Sequence, residues 1–213
     1  MPKVLTPEEI RCFRNRMCDH ALASFGKHGV EGISLRGLAA DLSCSRTTPY
    51  RYFKNKADIL AALRQREFGC IADTLEAALI QEPEPSEQLE VLCRAYLDFA
   101  IQHPDSYRVM YTVSQPDSGQ YPELEAEILR SGEPMRQVVN ALVKAGNIAG
   151  DPVNICYVLW AGLHGLISLH LAHLLGNKRE IEELSAVMIR SLVRSVSTEP
   201  SDKAAAERIN TFS

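Results

Sequence analysis

SLRGLAADLSCSRTTPYRYFKNK, residues 34–56, reads as two short helices joined by a tight turn and followed by an aromatic, basic run. Leu35, Leu38, Ala39 and Leu42 recur at helical spacing and give the first helix one apolar face. Ser34 stands just before it, where a hydroxyl caps free N–H groups. Ser43 and Cys44 break the pattern. Ser45 is placed to restart a helix as a second cap, with Arg46, Thr47 and Thr48 in its exposed first turn. A helix, a short turn and a second helix with a polar N-terminus predict the helix-turn-helix geometry, in which the second helix enters the major groove of DNA. The run Tyr50-Arg51-Tyr52-Phe53-Lys54-Asn55-Lys56 then interleaves phenol hydroxyls with cations, and both suit phosphate oxygens.

One stretch before this one and several within it fall in a recognisable order. Ala21 to Gly29 is an apolar helix end with Phe and Gly, Ser34-Leu35-Arg36 and Ala39 follow, and Tyr50 to Lys56 fits Tyr-x-x-Phe-x-x-Lys. On these residues, over roughly 8–66, the chain resembles the tetracycline-repressor-like (TetR) family of transcriptional regulators. It departs at Pro49, where many members carry Leu; a proline is tolerated in or near a first turn. Late in the chain Trp160, His164 and Gly165 (WAGLHG) resemble a Trp…His-Gly signature of one branch. The resemblance implies a DNA-binding N-terminal region and a C-terminal helical body whose last two long helices form a four-helix bundle with those of a mate.

Within this reading Ser45–Phe53 contains the recognition helix. Arg46, Thr47 and Thr48 are the candidates for base edges. Tyr50, Tyr52, Lys54 and Lys56 are assigned to phosphates, Lys56 also opening the next helix, whose N–H groups favour an anion. Ser34, Arg36, Ser45 and Arg51 complete the expected DNA-binding set.

Charge is distributed to match. The net charge of −4 divides into twelve Lys/Arg against six Asp/Glu in residues 1–66, and eleven against twenty-one beyond. A basic N-terminal part on an acidic remainder suits a polyanion partner for the former alone. The 213 residues and 46% hydrophobic content suffice for a sizeable core. The first residues do not read as a secretory leader, so a cytoplasmic location is expected. The six cysteines, at 12, 18, 44, 70, 93 and 156, form no Cys-x-x-Cys pair and suit neither zinc nor a disulfide framework. Five have apolar neighbours at helical spacing and read as reduced core thiols. Cys70, near a domain junction, is the candidate for a redox sensor.

Along the chain, Thr6-Pro7-Glu8-Glu9 is a capping-box helix start. Ile10, Phe13, Met17, Ala21 and Phe25 trace one face of the first helix, which Gly26 and Gly29 end. Asn55 caps a long helix with Ile59, Leu63, Ile71, Leu75 and Leu79. Glu82-Pro83-Glu84-Pro85 is a break. Helices are then expected at about 87–102, 104–114, 122–145, 152–175 and 178–196, the third kinked or split near Ser131–Pro134. The expected division is a helix-turn-helix domain over 1–56, a helical ligand-binding and dimerisation domain over 57–197, and a polar, disordered tail over 198–213. The fold class is all-α.

From Val153 to Leu175 there is no Asp, Glu, Lys or Arg. That length could span a bilayer, but Asn154, His164, Ser168, His170 and His173 are costly in hydrocarbon, so no membrane partner is expected. A helix apolar on nearly all sides also suits the buried centre of an assembly. Ala161, Gly165, Ser168 and Ala172 form a stripe of small residues that lets another helix approach. A bulkier stripe (Trp160, Leu163, Ile167, Leu171 and Leu174) lies on another face. The last helix offers Ile181, Leu184, Met188 and Leu192. The expected dimer interface is Leu163, Ile167, Leu171, Leu174, Ile181, Leu184, Met188 and Leu192, although both helices could equally be plain core.

No catalytic constellation is apparent. His170 and His173 could share a metal, but no further ligand completes a set. Cys156 and His164, eight residues apart on a helix, are separated by about 12 Å. No phosphate loop or Gly-x-Ser-x-Gly elbow occurs, and neither an enzyme nor a cofactor is expected. Aromatic and His residues collect in the body, as core packing or as the lining of an apolar cavity with a few polar tips. The candidate ligand-binding residues are Tyr96, His103, Tyr107, Tyr111, Trp160 and His164. The expected partners are therefore an inverted-repeat DNA operator, a second copy of the chain and a small effector that releases DNA. The rival reading is an all-α ligand-binding or enzymatic protein with a degenerate DNA-binding region.

Overall fold

The computed structural model of the protein describes residues 6–82, 84–113, 119–175 and 178–197. Among these, eight α-helices and two short 3₁₀ helices carry the fold, and one isolated bridge between Ile148 and Ser197 is the β-type pairing, in line with the all-α expectation. The α-helices are α1 (Pro7–His28), α2 (Leu35–Asp41), α3 (Lys56–Gln81), α4 (Pro85–Gln102), α5 (Pro104–Thr112), α6 (Pro122–Lys144), α7 (Pro152–Leu171) and α8 (Lys178–Val196). The 3₁₀ helices span Val30–Gly32 and Pro49–Arg51. The expected tail, 198–213, lies outside the described residues.

The chain forms two compact units, one from Met1–Cys70 with His103–Ile128, the other from Ile71–Gln102 with Leu129–Ser213. In the first, α1 begins in the expected capping box: Glu9 N–H donates to the Thr6 hydroxyl (3.2 Å) and Thr6 N–H donates to the Glu9 carboxylate (2.9 Å). It runs through Gly26 and ends at Gly29, whose φ of 64° only glycine adopts freely. Met17, Ala21 and Phe25 of α1 pack with Leu35, Leu38, Phe53, Ile59, Leu63 and Val109. Arg66 on α3 reaches Asp19 on α1 at 2.6 Å and its own neighbour, the buried Glu67, at 2.8 Å.

This unit is larger than the expected 1–56. Apolar periodicity marks α3 and α5 as amphipathic but not which partner they choose, and here α5 packs on α1. Gly26 allows it, since a Cβ there would lie 2.2 Å from the Asp105 carboxylate. Arg108 stands 5.6 Å from the Phe25 ring centre, and the fully buried Arg64 of α3 donates to the Met110 carbonyl at 3.1 Å. Burial lowers the pKa of that guanidinium, and a hydrogen bond from a charge inside the core fixes α3 to α5.

In the second unit α4, α7 and α8 pack on one another. α6 does not split: it continues through Pro134, while Arg136 donates to the Leu129 carbonyl at 2.9 Å and pairs with Glu133. Arg130 grips α3 through Glu76 (2.6 and 2.8 Å) and Asp73. α7 begins with Asp151 accepting from Val153 N–H at 3.1 Å. It stops at Leu171, before the expected 175, because His173 takes a φ of 56° and Leu174 N–H bonds back to the Leu169 carbonyl (3.0 Å). His173 therefore leaves the helix and does not share a helical face with His170.

Candidate nucleic-acid interface

The helix-turn-helix segment is built by local hydrogen bonds. Ser34 caps α2 by accepting from Gly37 N–H at 3.0 Å. The turn that follows is a Schellman closure: Ser43 N–H reaches the Ala40 carbonyl and Cys44 N–H the Ala39 carbonyl, each at 3.0 Å, with Ser43 at a φ of 50°.

Beyond the turn the structure corrects one expectation. Ser45–Phe53 is not an α-helix but a turn followed by the single 3₁₀ turn Pro49–Arg51. A helix capped by Ser45 needs residue 49 to donate its N–H to the Ser45 carbonyl, and Pro49 has none. Thr48 N–H takes that acceptor instead at 2.9 Å, and Arg51 and Tyr52 continue with i→i−3 bonds to Thr48 and Pro49. The Ser45 hydroxyl is shared with the Thr47 and Thr48 hydroxyls at 3.0 and 2.9 Å rather than capping an N–H.

This segment is nonetheless held firmly. Pro49 and Phe53 are buried. Arg14 of α1 donates to the Tyr52 carbonyl at 2.8 Å and lies 4.4 Å from the Phe53 ring centre, and Phe13 stacks on Tyr52 at 4.5 Å. Ser34, Arg36, Ser45, Arg46, Thr47, Tyr50, Arg51 and Lys54 are exposed, whereas Thr48, Tyr52 and Lys56 are half-buried. The expected DNA-facing residues thus lie on one unit, on a backbone whose apolar side is anchored.

Three residues outside the expected set bear on this edge. Asp58, three positions after the helix cap, donates its N–H to Asn55 Oδ1 at 3.0 Å and accepts from Lys54 N–H on Oδ2 at 2.8 Å. Tyr121 donates its hydroxyl to Asp58 Oδ1 at 2.9 Å; burial first, and then this bond, raises the phenol pKa. Glu31 pairs with Lys56 at 3.3 Å. The Asn-x-x-Asp spacing was a legible capping signal for Asp58; nothing local pointed to Tyr121, 63 residues away.

The expected ligand-binding residues fall in two groups. In the first unit Tyr107 is buried, packs at 4.7 Å on Tyr111, and Tyr111 meets Phe68 edge-on at 5.7 Å. His103 is exposed at the start of α5, which removes it from a closed lining. In the second unit Trp160 donates its indole N–H to the buried Tyr96 hydroxyl at 2.9 Å, and the His164 ring lies 5.4 Å from the indole.

The expected dimer seam is also corrected in part. Leu163, Ile167 and Ile181 are 1% exposed inside the second unit, where α7 meets α4 and α8. An amphipathic period cannot separate a face turned to the same chain from one turned to a mate, and α7 is apolar on both. Leu171, Met188 and Leu192 are half-buried, Leu184 is exposed, and Leu174 stands beyond the helix end. The outward face of α7 is instead Tyr157, Val158, Ala161, Ser168, Leu169 and Ala172. α7 is long and apolar enough to cross a membrane by length and composition, yet its row of Ile155, Leu159, Leu163, Leu166 and Ile167 is buried in protein.

None of the six cysteines forms a disulfide. Burial pushes Cys18 up to about 11 and Cys93 up to about 12, so both are inert neutral thiols. Cys44 and Cys156 are half-buried, and Cys12, against expectation, is exposed with Cys70.

The comparisons with known proteins agree with this geometry. Residues 18–63 match the family model described as bacterial regulatory proteins, tetR family, and residues 89–192 match a tetracyclin repressor-like C-terminal domain. An HTH-type transcriptional regulator of Mycobacterium tuberculosis is 24% identical over 173 residues, covering 68% of this chain and 74% of that protein. A solved protein of unknown function from Rhodococcus sp. RHA1 has a TM-score of 0.76 and 25% identity over 87% of this chain and 95% of its own. A bacterial regulatory protein in the tetR family, also from Rhodococcus RHA1, has a TM-score of 0.71 at 16% identity over 87% of this chain and 97% of its own. With its N-terminal and C-terminal regions both matched, the chain belongs to the TetR family of DNA-binding transcriptional regulators.

Proposed function

We propose that this regulator acts in the cytoplasm as a homodimeric repressor, released from an inverted-repeat operator by a small, largely apolar effector, with no catalytic role of its own. The observation that carries the reading is the exposed edge of Arg46, Thr47, Tyr50, Arg51 and Lys54 on a segment anchored by Pro49 and Phe53. Arg46 and Thr47 suit base edges, and Tyr50, Lys54 and Lys56 suit phosphates.

One such edge reads too few bases for operator-level specificity, so two copies on half-sites are required. The outward face of α7, with Leu184 and Val187 exposed on α8, supplies apolar area for a mate. For the effector, Tyr96, Trp160 and His164 offer aromatic surface with a hydroxyl and an imidazole, which suits a largely apolar ligand with a single polar group. A ligand that favours the released arrangement by about 3 kcal/mol would weaken operator binding roughly a hundredfold.

The test is to let the purified protein select fragments from its own genomic DNA, then screen apolar metabolites for release while following Trp160 emission. Selection of an inverted-repeat fragment and its release by a compound that alters that emission support the reading. A protein that selects no fragment would favour the rival of a ligand-binding or enzymatic protein.

A further inference from the structure

We propose that Tyr121 is a positioning residue for DNA binding, holding Asp58 and through it the Lys54–Lys56 edge in the arrangement that meets phosphate. The proposal rests on the reading of that edge as DNA-contacting.

Tyr121 is the residue that precedes α6, and its carbonyl accepts from Glu125 N–H at 3.1 Å. Its hydroxyl donates to Asp58 Oδ1 (2.9 Å), and Asp58 Oδ2 accepts from Lys54 N–H (2.8 Å). Both carboxylate oxygens therefore have donors. This matters because Asp58 lies in the first turn of α3, where the helix N-terminus attracts anions. A carboxylate there competes with a DNA phosphate for free N–H groups and for the ammonium groups of Lys54 and Lys56. Tyr121 and the Lys54 backbone keep it occupied, and the same two bonds fix the backbone that carries both lysines. Without the phenol hydroxyl, Oδ1 is released to pair with a lysine that DNA requires.

The cost falls on phosphate contacts, so it is blind to sequence. Tyr121→Phe should weaken binding roughly three- to tenfold, a loss on the scale of one ordinary hydrogen bond, equally on a duplex selected by the wild-type protein and on a scrambled one. Because the penalty acts through the Asp58 charge, it should vanish when Tyr121→Phe is made in an Asp58→Asn background. Asp58→Glu, which keeps the charge but moves it by one methylene, should reproduce the penalty and serves if Tyr121→Phe folds poorly. Affinities are measured per folded molecule, with melting curves alongside, so a purely structural role would lower the melting temperature and leave the affinity unmoved. The proposal is overturned if Tyr121→Phe and Asp58→Glu bind as wild type, or if the Tyr121→Phe penalty persists in the Asp58→Asn background. Wild-type protein that selects no duplex, or Lys56→Ala that binds every duplex as tightly as wild type, would instead overturn the underlying assignment of the edge.

Discussion

The indole N–H of Trp160 meets the Tyr96 hydroxyl at 2.9 Å, tying α7 to α4 inside the second unit. Trp160 is the chain's single tryptophan, so its emission reports on the surroundings of that contact. Tyr96→Phe removes the acceptor and should cost about 1 kcal/mol of stability, with a shift in the emission maximum. Emission identical to wild type would show that the indole is not held by Tyr96 in solution.

His164 makes the same site sensitive to acid. Burial lowers its pKa from the ordinary 6.5, so the folded state favours the neutral ring more than the unfolded chain does. The stability this contributes is complete above the ordinary value and is lost as pH falls through the lowered one. Denaturant titrations between roughly pH 7.5 and pH 5 should show a decline that His164→Gln reduces. An unchanged slope in the variant would assign the decline to other groups.

The turn after α2 offers a gain in stability. Ser43 adopts a φ of 50°, a region where a Cβ is disfavoured and glycine is at ease. Ser43→Gly should raise stability by about 0.5–1 kcal/mol without altering DNA affinity, as read from paired thermal and binding measurements. A loss of stability would mean that the Ser43 side chain contributes more than the backbone strain it imposes.

Features set by neighbours in sequence were legible. The Thr6–Glu9 and Ser34 caps and the Gly29 stop follow from short-range spacing, and the structure forms them as read; of the expected α1 face, Met17, Ala21 and Phe25 are buried, whereas Phe13 is half-buried and Ile10 is exposed. The recognition segment was misread in form because the Pro49 effect depends on the missing N–H at one acceptor, Ser45, rather than on propensity. Burial of Leu163 and Ile167 was not legible because two apolar faces of one helix carry the same period. The Tyr121–Asp58 bond and the packing of α5 on α1 join distant residues, and no local pattern encodes them.

Base and phosphate roles separate by substitution. Arg46→Ala should relax sequence preference at its position by about 1–3 kcal/mol, whereas Lys56→Ala should weaken binding to all duplexes and lower the salt slope by about one. Glu31, exposed and 3.3 Å from Lys56, competes with phosphate for that cation. Glu31→Gln should therefore tighten binding modestly to any duplex, most at low salt. Titrations against matched and scrambled duplexes at several salt concentrations distinguish the three. Wild-type behaviour of both Arg46→Ala and Lys56→Ala would refute the assigned edge.

The two faces of α7 predict different outcomes for the same substitution. Ile167 is 1% exposed and sits among the residues that join α7 to its own chain, whereas Leu169 is 45% exposed on the outward face. A glutamate at 167 has no partner and no water, so Ile167→Glu should unfold the second unit, with loss of helical ellipticity. A glutamate at 169 meets water in a single chain but a buried apolar surface in the proposed dimer. Leu169→Glu should therefore keep its helical signal and sediment as a monomer, with operator affinity reduced because two half-sites are no longer read together. A wild-type protein that is monomeric at micromolar concentration, or a Leu169→Glu variant that remains dimeric, would remove the outward face of α7 from the interface.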